Sequence, residues 1–315
     1  MQQQRIIFSI VGHALGEAVG AQYQGNSATT APIQFPYESV SIKNAVVNGW
    51  LDKTDSMLVL MESLTDDNPQ MALAAKLQAL VTSDRATTTP VLKTLVNATN
   101  FTDDPVATSR SFWEASGNKL ASNMALGRCT PLAALSSGNV PAAEQMCIVT
   151  DADPRCVASN VFVVSTLNQI IYNEDLTAPV LDGIVASGIK LGLTYVTDKD
   201  EFVKIIHGAY TGKNIAQLSL AEIGKSSHVY KTLSAVAYAL QVIRSSLEVK
   251  RLPNFKKVIA KIASAGGDTS CNCALVGAFI SSYTASLPDD WLKSLVGQDI
   301  IIDVATTYAN TIMAQ

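Results

Sequence analysis

The chain has 315 residues, 48% of them apolar, 16% charged and 6% aromatic, with a net charge of −4. That length suits one large domain or two ordinary ones, and a charge content below the soluble average of about a quarter, made up by Ala, Ser, Thr, Gly and Val, points to helices packed closely around an extensive core. The balance excludes a duplex-binding face, because "KRLPNFKK" (250–257) is the densest basic cluster; no run reaches the roughly 18 apolar residues of a membrane span; and Cys129, Cys147, Cys156, Cys271 and Cys273, odd in number and without a CxxC pair, read as buried thiols of a reducing, cytoplasmic compartment.

In chain order, "RIIFSIVGHALGEAVGA" (5–21) imitates a signal peptide, but His13 and Glu17 within it favour a first buried helix. The glycosylation sequons at Asn97 and Asn100 then carry no weight. Glycines 12, 16 and 20 suit close helix contact better than phosphate binding, since no strand precedes them. Residues 26–49, with Pro32 and Pro36, predict a loop. Apolar residues at three-to-four spacing predict helices over 55–64, 70–84 and 157–173, then 226–248, 254–264, 272–283 and 299–314. "NVFVV" and "DIIIDV" also suit strands by composition, but neither alternates over any length. Turns are expected at 66–69, 150–155, 251–254 and 286–290, the last opening a helix with Ser286 as its cap. Without a composition shift or linker, the expectation is one all-helical domain, 1–315.

Five segments then fall together in order: "GHALGEAVGA" (12–21), "NGWLDKTDSMLVLMESL" (48–64), "SNMALGRCTPLAAL" (122–135), "TDADPRC" (150–156) and "GGDTSCNCALVGAFISSYTA" (266–285). With them the chain resembles the ADP-ribosylglycohydrolase family over nearly its whole length. The resemblance implies an all-α orthogonal bundle holding two magnesium ions, which orient a ribose and activate a water that cleaves an ADP-ribosyl bond. Paired hard cations need clustered carboxylates and hydroxyls. In the family these come from a Thr-Asp-Asp run after a tryptophan and from Gly-Gly-Asp-Thr-Asp-Thr at a helix start.

Carried over by position, the run after Trp50 has Leu51 for the threonine, Asp52 for the first aspartate and Lys53 for the second, with Thr54 following. In the later motif Asp268 is retained, while Ser270 replaces the second aspartate and Cys271 the threonine after it. Gly16-Glu17 stands for the family's Gly-Asp, and Asp151 for a histidine. Four aspartates have become two aspartates and a lysine, a swing from −4 to −1. At an effective dielectric of about 20 and a separation of about 4 Å, an ammonium repels one dication by about 8 kcal/mol, and a thiol is too soft a ligand for magnesium. The sequence therefore leads to a degraded two-metal site at Leu51, Asp52, Lys53, Asp268, Ser270 and Cys271, with no catalytic residue and no cofactor, and with Lys53 pairing with Asp52 or Asp268.

The "WLDKTDSM", "ADPRC" and "EIGKSSHVYKTL" (222–233) runs are further similar to the J crystallins of box-jellyfish eye lenses, a branch of the same family. That implies a structural, cytoplasmic lens protein with self-association at high concentration as its partner expectation. Two alternatives stay open: a divergent hydrolase using one magnesium at Asp52 and Asp268, and an ADP-ribose-binding module without turnover. The bland reading of Asp268 and Thr269 is helix capping. His13, His207 and His228 read as structural, and Arg155 either faces a phosphate pocket or bridges loops.

Overall fold

Helix follows helix along the chain in this computed structural model, which describes residues 1–40, 42–83, 87–212 and 214–314. The first half holds α1 (Gln2–Ala21), α2 (Asp52–Ser63), α3 (Pro69–Thr82), α4 (Pro90–Val96) and α5 (Pro105–Ala115). Two short 3₁₀ turns, Leu126–Arg128 and Thr130–Ala134, lead to α6 (Asn139–Cys147), α7 (Pro154–Tyr172), α8 (Ala178–Gly192) and α9 (Lys199–Tyr210). A third such turn, Ile215–Leu218, precedes α10 (Val229–Val249), α11 (Phe255–Ser264), α12 (Thr269–Thr284), α13 (Asp289–Ser294) and α14 (Gln298–Met313). Among the described residues there is no strand, only an isolated bridge between Ser122 and His228. The all-α class expected from periodicity is the class observed. Ser41, inside the predicted loop 26–49, and Asp84, at the end of the predicted helix 70–84, lie outside the described residues.

The helix starts follow from local chemistry. Asn68, Thr89, Asp104, Asp153, Thr177 and Asp198 each accept a first-turn amide with their side chains. Proline occupies the first turn of α3, α4, α5, α7 and α8, where its missing N–H is not needed. The ambiguous β-branched segments are helical, in α7 and α14. One expected cap is corrected: α13 begins after Pro288 without a side-chain cap, and the Ser286 carbonyl instead accepts the Thr284 hydroxyl at 3.1 Å. The chain there is still turning out of α12 through the left-handed Ala285, so Ser286 lies too early to reach the α13 amides.

The two ends of the chain meet at the centre, where α1 lies against α12 in the most extensive helix pairing of the fold. Its closeness comes from glycine. A Cβ at Gly16 would stand 2.1 Å from the Cys273 carbonyl oxygen, and one at Gly20 would stand 2.3 Å from that of Thr269. Here the backbones touch, and nothing larger fits. Around the pair, buried apolar side chains form a continuous cluster running from Ile6 to Ile312. This contact brings Glu17, one residue beyond Gly16, level with the starts of α2 and α12.

Candidate functional site

The two segments with metal-ligand character, far apart in sequence, are neighbours in space. Leu51 is the N-cap residue of α2, buried and without a side-chain cap bond. The missing cap comes from another helix: Glu17 accepts the Lys53 amide at 2.9 Å with Oε1 and the Thr54 amide at 2.8 Å with Oε2. The two oxygens of this side chain satisfy two orphan donors of the helix start. Burial, reinforced by the Asp52 charge, pushes the Glu17 carboxyl up to about 8.

Lys53 does not turn away to solvent. Its side chain is buried between Gly127, where a Cβ would lie 2.7 Å from Lys53 Cδ, and Cys271, whose Sγ would be 3.1 Å from the same Cβ. Lys53 Nζ donates to Asp52 Oδ2 at 2.5 Å. Burial works against the ammonium, but the Asp52 and Asp268 carboxylates outweigh it, so its pKa is raised and the charge is kept. The expected pairing with Asp52 is thus observed. Next to Lys53, His13 is fully buried and bonded through Nδ1 to Thr130 Oγ1 at 2.8 Å; burial, then the Lys53 charge, lowers its pKa to about 3 and leaves it neutral.

At the start of α12, Asp268 is a capping carboxylate. Its Oδ1 accepts the Cys271 amide at 3.4 Å, the Ser270 hydroxyl at 3.3 Å and Gln24 Nε2 at 2.9 Å, while Oδ2 accepts Asn123 Nδ2 at 2.9 Å. Asn123 also donates to Thr232 Oγ1 at 2.8 Å, and the Thr232 hydroxyl donates to Asn272 Oδ1 at 2.8 Å. The Thr269 hydroxyl donates back to the Gly20 carbonyl at 2.7 Å. The Cys271 thiol is fully buried, and burial pushes its pKa far above the ordinary thiol value. Gln24, Asn123, Thr232 and Asn272 were not marked by sequence: neutral amides and hydroxyls from four different segments have no diagnostic spacing.

Asp151, Arg155 and His228 have structural partners, while His207 lines an open cavity between α8, α9 and α10. Asp151 accepts the Ser122 hydroxyl, the Ala125 amide at 2.9 Å and the Thr150 hydroxyl at 2.7 Å, fixing the 122–128 segment. Arg155 is bidentate on Asp153, at 2.9 and 2.7 Å, and also lines an open cavity of about 620 Å³. His228 accepts the Tyr230 amide at the start of α10. All five cysteines are free and buried. Five open cavities of 400–650 Å³ are lined by residues other than the six positions named as the degraded site. Among the described residues, no group of three or more His, Cys, Asp and Glu is arranged to hold a metal ion, and no helix is long and apolar enough to cross a membrane.

A family model described as ADP-ribosylglycohydrolase matches residues 1–314. The chain belongs to the ADP-ribosylglycohydrolase family. Among solved structures, an "ADP-ribosylglycohydrolase-related protein complex" is similar over 99% of this chain and 99% of its own, with a TM-score of 0.70 and 17% sequence identity, which shows the shared fold. No curated protein matches the chain. Against the magnesium pair that the family implies, the donor set is poor. An oxygen of Asp52 is taken by an ammonium, both oxygens of Asp268 accept neutral donors, and a protonated thiol stands where a hydroxyl would be. Hard octahedral cations need free oxygens, so these residues do not fit two magnesium ions.

Proposed function

We propose that this member of the ADP-ribosylglycohydrolase family is a non-catalytic structural protein, and that its role is that of a J-type crystallin in the cytoplasm of lens cells. One observation carries the non-catalytic reading: the buried Lys53 ammonium, 2.5 Å from Asp52 and under the influence of Asp268, stands where a dication would be needed. A tethered ammonium occupies the place of a dication, offsets one of the two retained carboxylate charges and supplies no Lewis acidity. The lens role is supported by the resemblance of "WLDKTDSM", "ADPRC" and "EIGKSSHVYKTL" to the box-jellyfish J crystallins, and self-association at high concentration goes with it.

Titrating magnesium into the purified protein by calorimetry tests the reading, with no saturable binding as the expected result. Tight binding at two sites, with hydrolysis of an ADP-ribosylated substrate, would overturn it. Quantitative proteomics of lens against other tissues tests the role, and a chain found scarce in lens removes that half. A second reading has one point in its favour. Asp52 and Asp268 both act on the same ammonium, so a single magnesium displacing Lys53 would meet two carboxylates, as a divergent hydrolase or an ADP-ribose-binding protein would need. In the same assays that reading requires one magnesium bound, and Asp268→Ala to abolish it.

A further inference from the structure

A second device closes the α12 side of the site, and it does not involve Lys53. Residues 23–29 leave α1 and cross the Gly266–Gly267 turn that precedes α12. Three backbone hydrogen bonds fasten them: the Gly25 amide to the Gly267 carbonyl at 2.8 Å, the Gly267 amide to the Asn26 carbonyl at 2.9 Å, and the Thr29 amide to the Ser264 carbonyl at 2.8 Å. The two glycines shape this turn, Gly266 making room for the segment and Gly267 for the Leu220 backbone. Their φ values are +70° and +78°, and a Cβ on Gly266 would lie 2.3 Å from the Asn26 carbonyl oxygen.

Gln24 is the side chain of this segment that reaches the site. Its Nε2 donates to Asp268 Oδ1 at 2.9 Å, and its Oε1 accepts the Ser270 amide, a first-turn donor of α12, at 2.9 Å. Of the relevant groups, a carboxamide alone serves both partners. A methyl group serves neither, and a carboxylate keeps the acceptor while placing a second anion beside Asp268.

We propose that residues 23–29 form a locked lid over the α12 end of the site, with Gln24 as its latch, so that neutral hydrogen bonds keep Asp268 closed off independently of the Lys53 charge. The lid and the cation question are read by different measurements: calorimetry reports magnesium, and amide hydrogen exchange reports the lid. The experiment is site-resolved hydrogen exchange on the full chain, for wild type, Gln24→Ala and Gln24→Glu. In wild type the amides of Gly25, Thr29, Gly267 and Ser270 are expected to exchange far more slowly than those of the exposed Val46 and Val47. Gln24→Ala is expected to accelerate all four amides roughly tenfold to hundredfold, the range that two hydrogen bonds of ordinary net strength supply. Gln24→Glu, which keeps the Ser270 acceptor but repels Asp268, is expected to accelerate those of Gly25, Thr29 and Gly267, with the central α10 amides unchanged in both. Three results overturn the proposal: fast exchange of the four amides in wild type, a near-isosteric Gln24→Glu that behaves like wild type, or equal acceleration of the α10 amides in both variants. The last would mean that Gln24 acts on the whole fold.

Discussion

The starts of α2 and α12 are built from the same kinds of residue and treat their carboxylates differently. At α2, capping is delegated to Glu17 on another helix, and Asp52 is left to face a cation supplied by its own neighbour, Lys53. At α12, Asp268 caps its own helix and gives its second oxygen to Asn123. One start has kept an ionic interaction and replaced the ion. The other has spread its charge over neutral donors. Each carboxylate keeps its own set of hydrogen-bond partners, so undoing one set leaves the other in place.

The largest effect is expected at the ionic start. Lys53→Met leaves Asp52 buried and unpaired, which costs about 3–5 kcal/mol for a broken buried pair and shows as a lower urea midpoint at constant slope. Removing both charges, in Asp52→Asn with Lys53→Met, is expected to recover most of that loss, because a neutral replacement leaves no stranded ion. If single and double variants unfold at the same denaturant concentration, the pair is not what secures the α2 start.

The two starts are held in register by the α1–α12 contact, so the next effect comes from forcing it apart. Gly16→Ala drives a methyl group against the Cys273 carbonyl, 2.1 Å away, and neither side of that clash is a flexible side chain. A loss of about 1–3 kcal/mol follows for overpacking a close contact. Gly183→Ala in α8 is the matched control. Its Cβ meets nothing within 4 Å, and it is expected to stabilise by up to about 1 kcal/mol through helix propensity. Thermal melts of the two variants moving in the same direction would break the argument.

Much of this contact was legible in the sequence, because glycines at four-residue spacing in an apolar helix have few other uses. The apolar stripes of α7, α10 and α11 were legible for the same reason, and so was the order of the acidic motifs. The short helices were not: α4 and α5 span 7 and 11 residues behind a proline, too few turns for a period to emerge. In α9, Phe202 and Ile206 at four-residue spacing obey the same rule as the longer helices, though they sit among charged neighbours. At the site, residue identity gave Asp52, Lys53, Asp268 and Cys271, and with them the Lys53–Asp52 pair and the Asp268 cap, but not the partners that come from other helices. That Glu17 caps a helix 36 positions later, or that Gln24 bridges Asp268 and Ser270, depends on how α1 docks. No local pattern encodes docking.

The most gradual effect, and the one that separates the two halves of the α1 face, is on pH dependence. His13 is lowered to about 3 from 6.5, by burial and then by Lys53, while Glu17 is raised to about 8 from 4.5, by burial and then by Asp52. Between pH 3 and 6.5 the unfolded chain binds a histidine proton that the folded chain refuses, so stability falls as pH drops through that window. Between 4.5 and 8 the folded chain holds a Glu17 proton that the unfolded chain releases, so stability falls as pH rises. From 4.5 to 6.5 the two slopes oppose each other, and above 6.5 only the Glu17 slope remains, at up to about 1.4 kcal/mol per pH unit. Urea midpoints across pH 5 to 8.5 should therefore show a level stretch and then a decline. Glu17→Gln should remove the decline and tilt the level stretch upward, whereas His13→Gln should extend the decline downward to about pH 4.5. A wild-type midpoint that stays constant from pH 6.5 to 8 would show that Glu17 is ionised in the folded chain, held there by Lys53 and the two amides it caps.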